Sequence, residues 1–216
     1  MTNLQKRILT SLVALPLAIF FVVKGGYFLS FFLLFIFFVG LHEIFYVFKR
    51  VKTKLFLLLV LTLSIFSIYY LGNDSLHSLF LLYFVIAISV SSDVGGYVFG
   101  KIFKWKKLSK ISPKKTISGV FGSYFCSFIY IMVFNELSSS SSHGFLVSDL
   151  TGIHEVLLTI IFSTVAQTGD LIISYFKRLE KIKDTGKILP GHGGIFDRID
   201  GLMFVAILAF ALVLFS

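Results

Sequence analysis

Long runs of apolar residues, interrupted at intervals by charge, glycine or proline, dominate this chain of 216 residues. A helix needs roughly 20 mostly apolar residues to cross the hydrocarbon core of a bilayer. Seven segments fit this requirement, and they lie at 8–23, 28–48, 55–71, 79–99, 117–134, 156–176 and 195–215. With 56% hydrophobic and only 14% charged residues, the chain is neither a soluble globular domain nor disordered. The sequence predicts an all-α, polytopic integral membrane protein with about seven transmembrane helices.

The positive charges are distributed unequally between the two sides of these predicted spans. Of the 20 lysines and arginines, all except Lys24 fall on one side, in the amino-terminal segment and in the segments 49–54, 101–115 and 177–198. Cytoplasmic loops of membrane proteins carry the excess of Lys and Arg. We therefore expect a cytoplasmic amino terminus, two long cytoplasmic basic loops and, with seven spans, an external carboxyl terminus.

Composition also limits the partners. A formal net charge of +9 in a membrane protein favours anionic lipid headgroups or a polyanionic substrate, and we expect no nucleic-acid partner. Cys126 is the single cysteine, which excludes an intrachain disulfide and a cysteine-based metal site. Neither an internal repeat nor a soluble domain is evident, so the segment 1–216 is predicted to be one transmembrane domain.

Ionisable residues are rare within the predicted spans, and each is a functional candidate because burying charge in lipid is costly. They are His42 with Glu43, Asp93, Asp170, and Asp197 with Asp200. All except Asp170 also have a structural interpretation. Glu43 would cap a helix or make an interhelical hydrogen bond, Asp93 would be one satisfied carboxylate on a glycine packing face, and Asp197 and Asp200 would cap a helix at the interface.

The first long basic loop carries seven lysines between Lys101 and Lys115. Most such runs only anchor a protein to the cytoplasmic face of a membrane. Here, however, the run ends in Ser112-Pro113-Lys114-Lys115-Thr116 at the start of the next span. Backbone amides and lysines at a helix entrance can bind phosphate, so this turn is a candidate phosphate site.

The second long basic loop contains the densest cluster of polar side chains. Asp170, Ser174 and Lys177 are spaced to share one helix face. After them come Arg178, Lys183-Asp184 and Leu189-Pro190-Gly191-His192-Gly193-Gly194-Ile195-Phe196-Asp197-Arg198-Ile199-Asp200. Asp197 and Asp200 are spaced i, i+3 at a helix start. Carboxylates that face backbone amides and cations can hold Mg²⁺ and a polyphosphate together.

These residues resemble the signature of the phosphatidate cytidylyltransferase, or CDP-diacylglycerol synthase, family. In that signature Ser, Lys-Arg, Lys-Asp and Leu-Pro-x-His-Gly-Gly-x-x-Asp-Arg-x-Asp are fixed, and the segment 174–200 fits every fixed position. Glu43, the Asp93 glycine motif, the Pro-Lys-Lys-Thr turn and Gly169-Asp170-Leu171 occur in family order. Ile173 and Ser118 depart from the pattern. Many members carry Glu at the position of Ile173, and many carry Glu or Gln at the position of Ser118.

The resemblance implies the reaction of CTP with phosphatidic acid to give CDP-diacylglycerol and pyrophosphate. It implies Mg²⁺ held by Asp170 and Asp197, with a second cation as a further expectation. The catalytic residues that it implies are Asp170, Lys177, Arg178, Lys183, Asp184, His192, Asp197, Arg198 and Asp200. The substrate-binding residues are Asp93, Ser112, Lys114, Lys115, Thr116, Ser174, Gly193 and Gly194. Within the domain, 1–72 would hold the amino-terminal helices and 79–216 the catalytic helices and motif loops.

The resemblance also implies a bacterial cytoplasmic membrane, an active site that faces the cytoplasm, contact with membrane lipids, and a homodimer. Three rival interpretations stay open from the residues. A cation- or proton-coupled transporter would use Asp93 and Asp170 as ion sites. A CTP-dependent lipid alcohol kinase would transfer the γ-phosphoryl group. A structural protein with a decayed active site would retain the motifs without activity.

Overall fold

A computed structural model describes residues 3–109, 112, 115–139, 154–186, 188–191 and 193–215. Across these ranges the chain forms seven helices and no β-strand. In chain order they are α1 (Asn3–Lys24), α2 (Gly26–Val47), α3 (Val51–Asn73), α4 (Leu76–Phe103), α5 (Ile117–Ser139), α6 (Glu155–Leu179) and α7 (Phe196–Phe215).

Six of these helices, α2 to α7, are long and apolar enough to cross a membrane. The apolar part of α1, Leu9–Lys24, is shorter, although the whole helix has 22 residues and would extend about 33 Å. Large apolar side chains such as Leu12, Phe31 and Phe121 lie exposed on the outside of the bundle, as lipid contact requires. The predicted all-α, polytopic membrane fold is confirmed, and the division into 1–72 and 79–216 stays a prediction.

Local sequence accounts for some of the helix ends. Gly25 and Gly26 both have positive φ, 63° and 51°, and this conformation, which glycine adopts readily, separates α1 from α2. Ser75 caps α4, because its hydroxyl accepts a hydrogen bond from the backbone N–H of Ser78 at 3.1 Å. The last helix begins at Phe196. Asp197 therefore lies in its first turn, as the predicted extension of the last apolar run requires.

The closest helix packing is between α4 and α5. A Cβ on Gly122 of α5 would lie 2.5 Å from the carbonyl oxygen of Gly95 on α4, and one on Gly119 would lie 2.8 Å from the carbonyl oxygen of Gly96. Only glycine fits these positions, because the atoms opposite are backbone and do not move aside. Small residues bring membrane helices together in this way.

Several helix ends converge on one side of the bundle. The backbone N–H of Arg50, just before α3, donates to Glu180 Oε1 at 3.0 Å, just after α6. Glu43 near the end of α2 accepts from Ile195 N, just before α7, at 2.7 Å. The end of α4 meets the start of α5, since Ile117 N donates to Lys106 O at 3.0 Å. Both basic loops therefore lie on the same side of the bundle.

The α4–α5 contact predicts a specific packing defect. Replacing Gly122 with Ala should destabilise the protein by about 1–3 kcal/mol, because the added methyl group overlaps the backbone of α4. The loss of stability is measured as a lower midpoint of thermal unfolding in detergent, determined by size-exclusion chromatography of heated samples. Ile129→Val, on the exposed side of the same helix, is the control and should leave the midpoint within error. An unchanged midpoint in Gly122→Ala would contradict the tight contact.

Candidate active site

A cavity of about 360 Å³ lies where α4, α5, α6 and α7 meet. Its volume is in the range of small-molecule sites. Ten of the residues that the sequence predicted to form a site line it. They are Asp93, Ser112, Lys115, Thr116, Asp170, Lys177, Asp184, Asp197, Arg198 and Asp200. The two basic loops and the acidic span residues, which are far apart in sequence, thus form one site.

Asp170 joins the first basic loop to α6. Its Oδ2 forms an ion pair with Lys115 Nζ at 2.6 Å, and its Oδ1 accepts from the Ser174 hydroxyl one helical turn later at 3.2 Å. Lys115 Nζ also donates to the backbone carbonyl of Gln167 at 3.2 Å. The predicted stacking of Asp170, Ser174 and Lys177 on one face is therefore present, with Ser174 behind Asp170 rather than among the residues that line the cavity.

Lys177 joins α6 to α7. Its Nζ lies 2.8 Å from Asp197 Oδ1 and 3.9 Å from Asp200 Oδ2, and the residue is only 7% exposed. A buried ammonium group is costly unless it is paired, so the two carboxylates at the start of α7 compensate it. Their i, i+3 spacing places both on the helix face toward Lys177.

Asp197 organises the loop that precedes it. Its Oδ2 accepts from Thr185 N at 2.7 Å and from Gly194 N at 3.0 Å, and it lies 3.2 Å from the Thr185 hydroxyl oxygen. A Cβ on Gly193, where φ is +93°, would lie 2.7 Å from the same oxygen. The predicted glycine pair thus provides a close approach and an amide donor to Asp197.

Glu43 reaches this loop from α2. It is 1% exposed, and its carboxylate accepts from the Thr185 hydroxyl and from the backbone N–H groups of Ile195 and Phe196. The capping and hydrogen-bonding interpretation of Glu43 is confirmed. Its partners lie 142 to 153 positions away, and no feature of the sequence indicates them.

Some predicted site residues lie elsewhere. Arg178 and Lys183 are exposed and do not line the cavity; Arg178 Nη1 donates to Ile182 O at 3.0 Å and so fixes the turn after α6. Gly193 and Gly194 lie behind Asp197, outside the lining. Lys114 and His192 are outside the described residues.

Sequence reasoning missed the polar wall at the helix interface. Ser92, Ser123 and Gln167 line the cavity. The Ser123 hydroxyl donates to Ser92 O at 2.7 Å, and the Ser92 and Ser163 hydroxyls lie 3.0 Å apart. Serines are common in membrane-helix interfaces, so only the adjoining Gly95-Gly96 pair could have indicated that this face lines a site.

The charges of the lining bear on metal binding. Its described residues include five carboxylates, Asp93, Asp170, Asp184, Asp197 and Asp200, against three cations, Lys115, Lys177 and Arg198. A phosphate-rich ligand would meet excess negative charge there unless cations accompany it. No group of three or more His, Cys, Asp or Glu side chains in the described ranges is arranged to hold a metal ion. Mg²⁺ commonly uses one or two protein carboxylates and completes its shell with water and substrate phosphates, and the carboxylates fit that kind of site.

The chain is similar in sequence to a known protein family and to several bacterial proteins. A family model described as the cytidylyltransferase family matches residues 51–216. A phosphatidate cytidylyltransferase of Staphylococcus epidermidis is 42% identical over 123 residues, 56% of this chain and 44% of that protein. Proteins of the same name from Staphylococcus haemolyticus and Staphylococcus aureus are 40% and 39% identical over 134 residues, 62% of this chain and 47% of each relative.

In each of these alignments the chain spans less than half the length of the curated relative. The family match, in contrast, covers most of this chain and includes every residue that lines the cavity. The chain therefore belongs to the cytidylyltransferase family.

Proposed function

We propose that this chain is a phosphatidate cytidylyltransferase that converts CTP and phosphatidic acid to CDP-diacylglycerol and pyrophosphate. The observation that carries the proposal is the cavity at the junction of α4 to α7. It combines Lys115, Lys177 and Arg198 with carboxylates at one end of a membrane bundle. The relatives from Staphylococcus epidermidis and Staphylococcus haemolyticus are named for the same reaction, which supports the proposal.

The reaction requires little acid–base chemistry from the protein. A phosphate oxygen of phosphatidic acid, already anionic near neutral pH, attacks the α-phosphorus of CTP. The new P–O bond forms as the bond from the α-phosphorus to the bridging oxygen breaks, and that oxygen leaves with its electron pair on pyrophosphate. Alignment of the two phosphates and neutralisation of their charge then provide most of the catalysis.

The residues of the cavity can align the two phosphates and neutralise their charge. Lys115, Lys177 and Arg198 face the space where phosphate groups would bind, and charge-assisted hydrogen bonds from such cations are stronger than neutral ones. Ser112 and Thr116 line the same wall and can donate to phosphate oxygens. Asp184 lines the cavity from the loop between α6 and α7. The roles of Arg178, Lys183, Lys114 and His192 stay predictions.

We further propose that Asp170 and Asp197 hold Mg²⁺, with Asp200 beside them. Asp197 would contribute Oδ1, because the backbone N–H groups of Thr185 and Gly194 already occupy its Oδ2. Lys115 Nζ pairs with Asp170 Oδ2, and Lys177 Nζ pairs with Asp197 Oδ1. With Mg²⁺ on these carboxylates, each lysine would turn toward a substrate phosphate. When bound, Mg²⁺ would neutralise charge on the reacting phosphates.

The position of the site suits one lipid and one soluble substrate. The cavity lies at the side of the bundle where the basic loops emerge, so CTP would enter from water and phosphatidic acid from the adjoining leaflet. The distribution of Lys and Arg favours the cytoplasmic face, and the Staphylococcus relatives support a bacterial membrane. A homodimer and the lack of a nucleic-acid partner stay predictions.

A product assay tests the activity. Purified protein with Mg²⁺, phosphatidic acid and CTP labelled at the α-phosphate should transfer label to a lipid product and release an equal amount of pyrophosphate. Lys177→Ala should lower kcat at least about 100-fold, because it removes a charge that neutralises the transition state. Glu136→Gln, near the other end of α5, should retain wild-type activity. If label stays in CTP and γ-labelled CTP phosphorylates a lipid alcohol instead, the kinase interpretation replaces this one.

A second experiment tests the metal proposal. Asp170→Asn replaces a charged ligand with a neutral one, so the Mg²⁺ concentration for half-maximal activity should rise at least about tenfold. Binding of Mn²⁺, measured by electron paramagnetic resonance without substrates, should weaken in parallel. Glu136→Gln again provides the control. Unchanged Mn²⁺ binding in Asp170→Asn would remove Asp170 from the metal site.

Cysteine labelling in intact cells tests the orientation. In a Cys126→Ala background, Lys107→Cys in the loop between α4 and α5 should resist a membrane-impermeant maleimide until the cells are lysed. Leu76→Cys, exposed at the start of α4, lies at the other end of that helix and should react in intact cells. The opposite labelling pattern would place the cavity on the outer face.

A further inference from the structure

We propose that Glu43 of α2 is a positioning residue for the cavity, because it fixes the loop that holds Asp197 against Lys177. The inference rests on the proposed function for its kinetic consequence, whereas its structural consequence is independent of activity. Glu43 lies outside the range 51–216 that the family model matches. The amino-terminal helices would therefore complete the active site as well as anchor it.

The first contact is with the start of α7. Glu43 Oε1 accepts from Ile195 N at 2.7 Å, and Oε2 accepts from Phe196 N at 3.1 Å. The first N–H groups of a helix have no partner within the helix, and the positive end of the helix dipole favours a carboxylate. Glu43 thus provides from α2 the cap that determines where α7 begins, one residue before Asp197.

The second contact leads to the cavity. Glu43 Oε2 lies 2.8 Å from Thr185 Oγ1, which lies 3.2 Å from Asp197 Oδ2. A hydroxyl carries a single proton, so the Thr185 hydroxyl donates its hydrogen bond to Glu43, the nearer acceptor. The Thr185 backbone N–H then remains on Asp197 at 2.7 Å, and Asp197 Oδ1 meets Lys177. Glu43 is therefore connected to the Lys177 ion pair through one threonine.

The loop also closes sterically around this carboxylate. A Cβ on Gly194 would lie 2.5 Å from both Glu43 oxygens, and one on Gly186 would lie 2.9 Å from Oε1. Gly186 and the motif glycine Gly194 therefore leave space for the Glu43 carboxylate on two sides of the loop. A side chain without the carboxylate would leave the backbone N–H groups of Ile195 and Phe196 without their acceptor inside this enclosure.

Apolar packing holds α2 in place independently of Glu43. Ile44 of α2 and Phe48, which directly follows the helix, pack in one buried cluster with Leu57, Leu61 and Phe196. Loss of the carboxylate should therefore loosen the loop 184–197 and leave the helix bundle assembled. This local effect separates a positioning role from a general structural role.

Hydrogen exchange and kinetics on the full chain in detergent test the proposal. In Glu43→Gln and Glu43→Ala, amide exchange in peptides from 184–197 should accelerate at least about tenfold, with exchange in α4 and α5 unchanged. Per folded molecule, kcat should fall about tenfold or more, and more in Ala than in Gln, while KM for phosphatidic acid stays within about twofold. Glu136→Gln is the matched control and should alter neither quantity.

A double-mutant cycle identifies the route. If Glu43 acts through Thr185, Glu43→Gln combined with Thr185→Val should lower kcat by much less than the product of the single effects. Multiplicative effects would overturn this route. Unchanged exchange at 184–197, or faster exchange throughout the bundle with unchanged kcat per folded molecule, would overturn the positioning role. The exchange result stands even if wild-type protein shows no cytidylyl transfer, so failure of the proposed function is recognised separately.

Discussion

The ion pair between Lys177 and Asp197 is the interaction on which the candidate site depends. At 2.8 Å it joins α6 to α7 where both side chains are largely buried, and an unpaired charge would be costly there. Asp197 can hold this position only because Thr185 and Gly194 bind its other oxygen. The loop between the two helices is therefore both the support of the ion pair and one wall of the cavity.

Close helix packing provides the opposite wall. Gly95 against Gly122 and Gly96 against Gly119 bring α4 and α5 into backbone contact, which places Asp93 and Thr116 in the same lining. Lys115 then spans to Asp170 on α6. Packing between small residues and pairing between charges thus act together, because the first sets the helix spacing and the second fixes the side chains in the space that remains.

Much of this arrangement could be predicted from sequence, but the use of individual atoms could not. Asp93, Lys115, Asp170 and Lys177 were expected at the site and line the cavity. Arg178 was expected there as well, yet its guanidinium group binds the turn after α6. Thr185, which contacts both Glu43 and Asp197, was not expected at all. A threonine in a polar loop has no sequence pattern that distinguishes a buried hydrogen-bond partner from a solvated residue.

The sequence by itself determined the membrane fold, the approximate spans and the resemblance to a family. These depend on local properties: a span needs about 20 apolar residues, and the i, i+4 spacing of Asp170 and Ser174 places both on one helix face. Only the tertiary structure decided which carboxylate oxygens face protein donors and that Glu43 caps α7 from 153 positions away. The physical reason is that long-range hydrogen bonds depend on how the helices pack, which no local periodicity encodes.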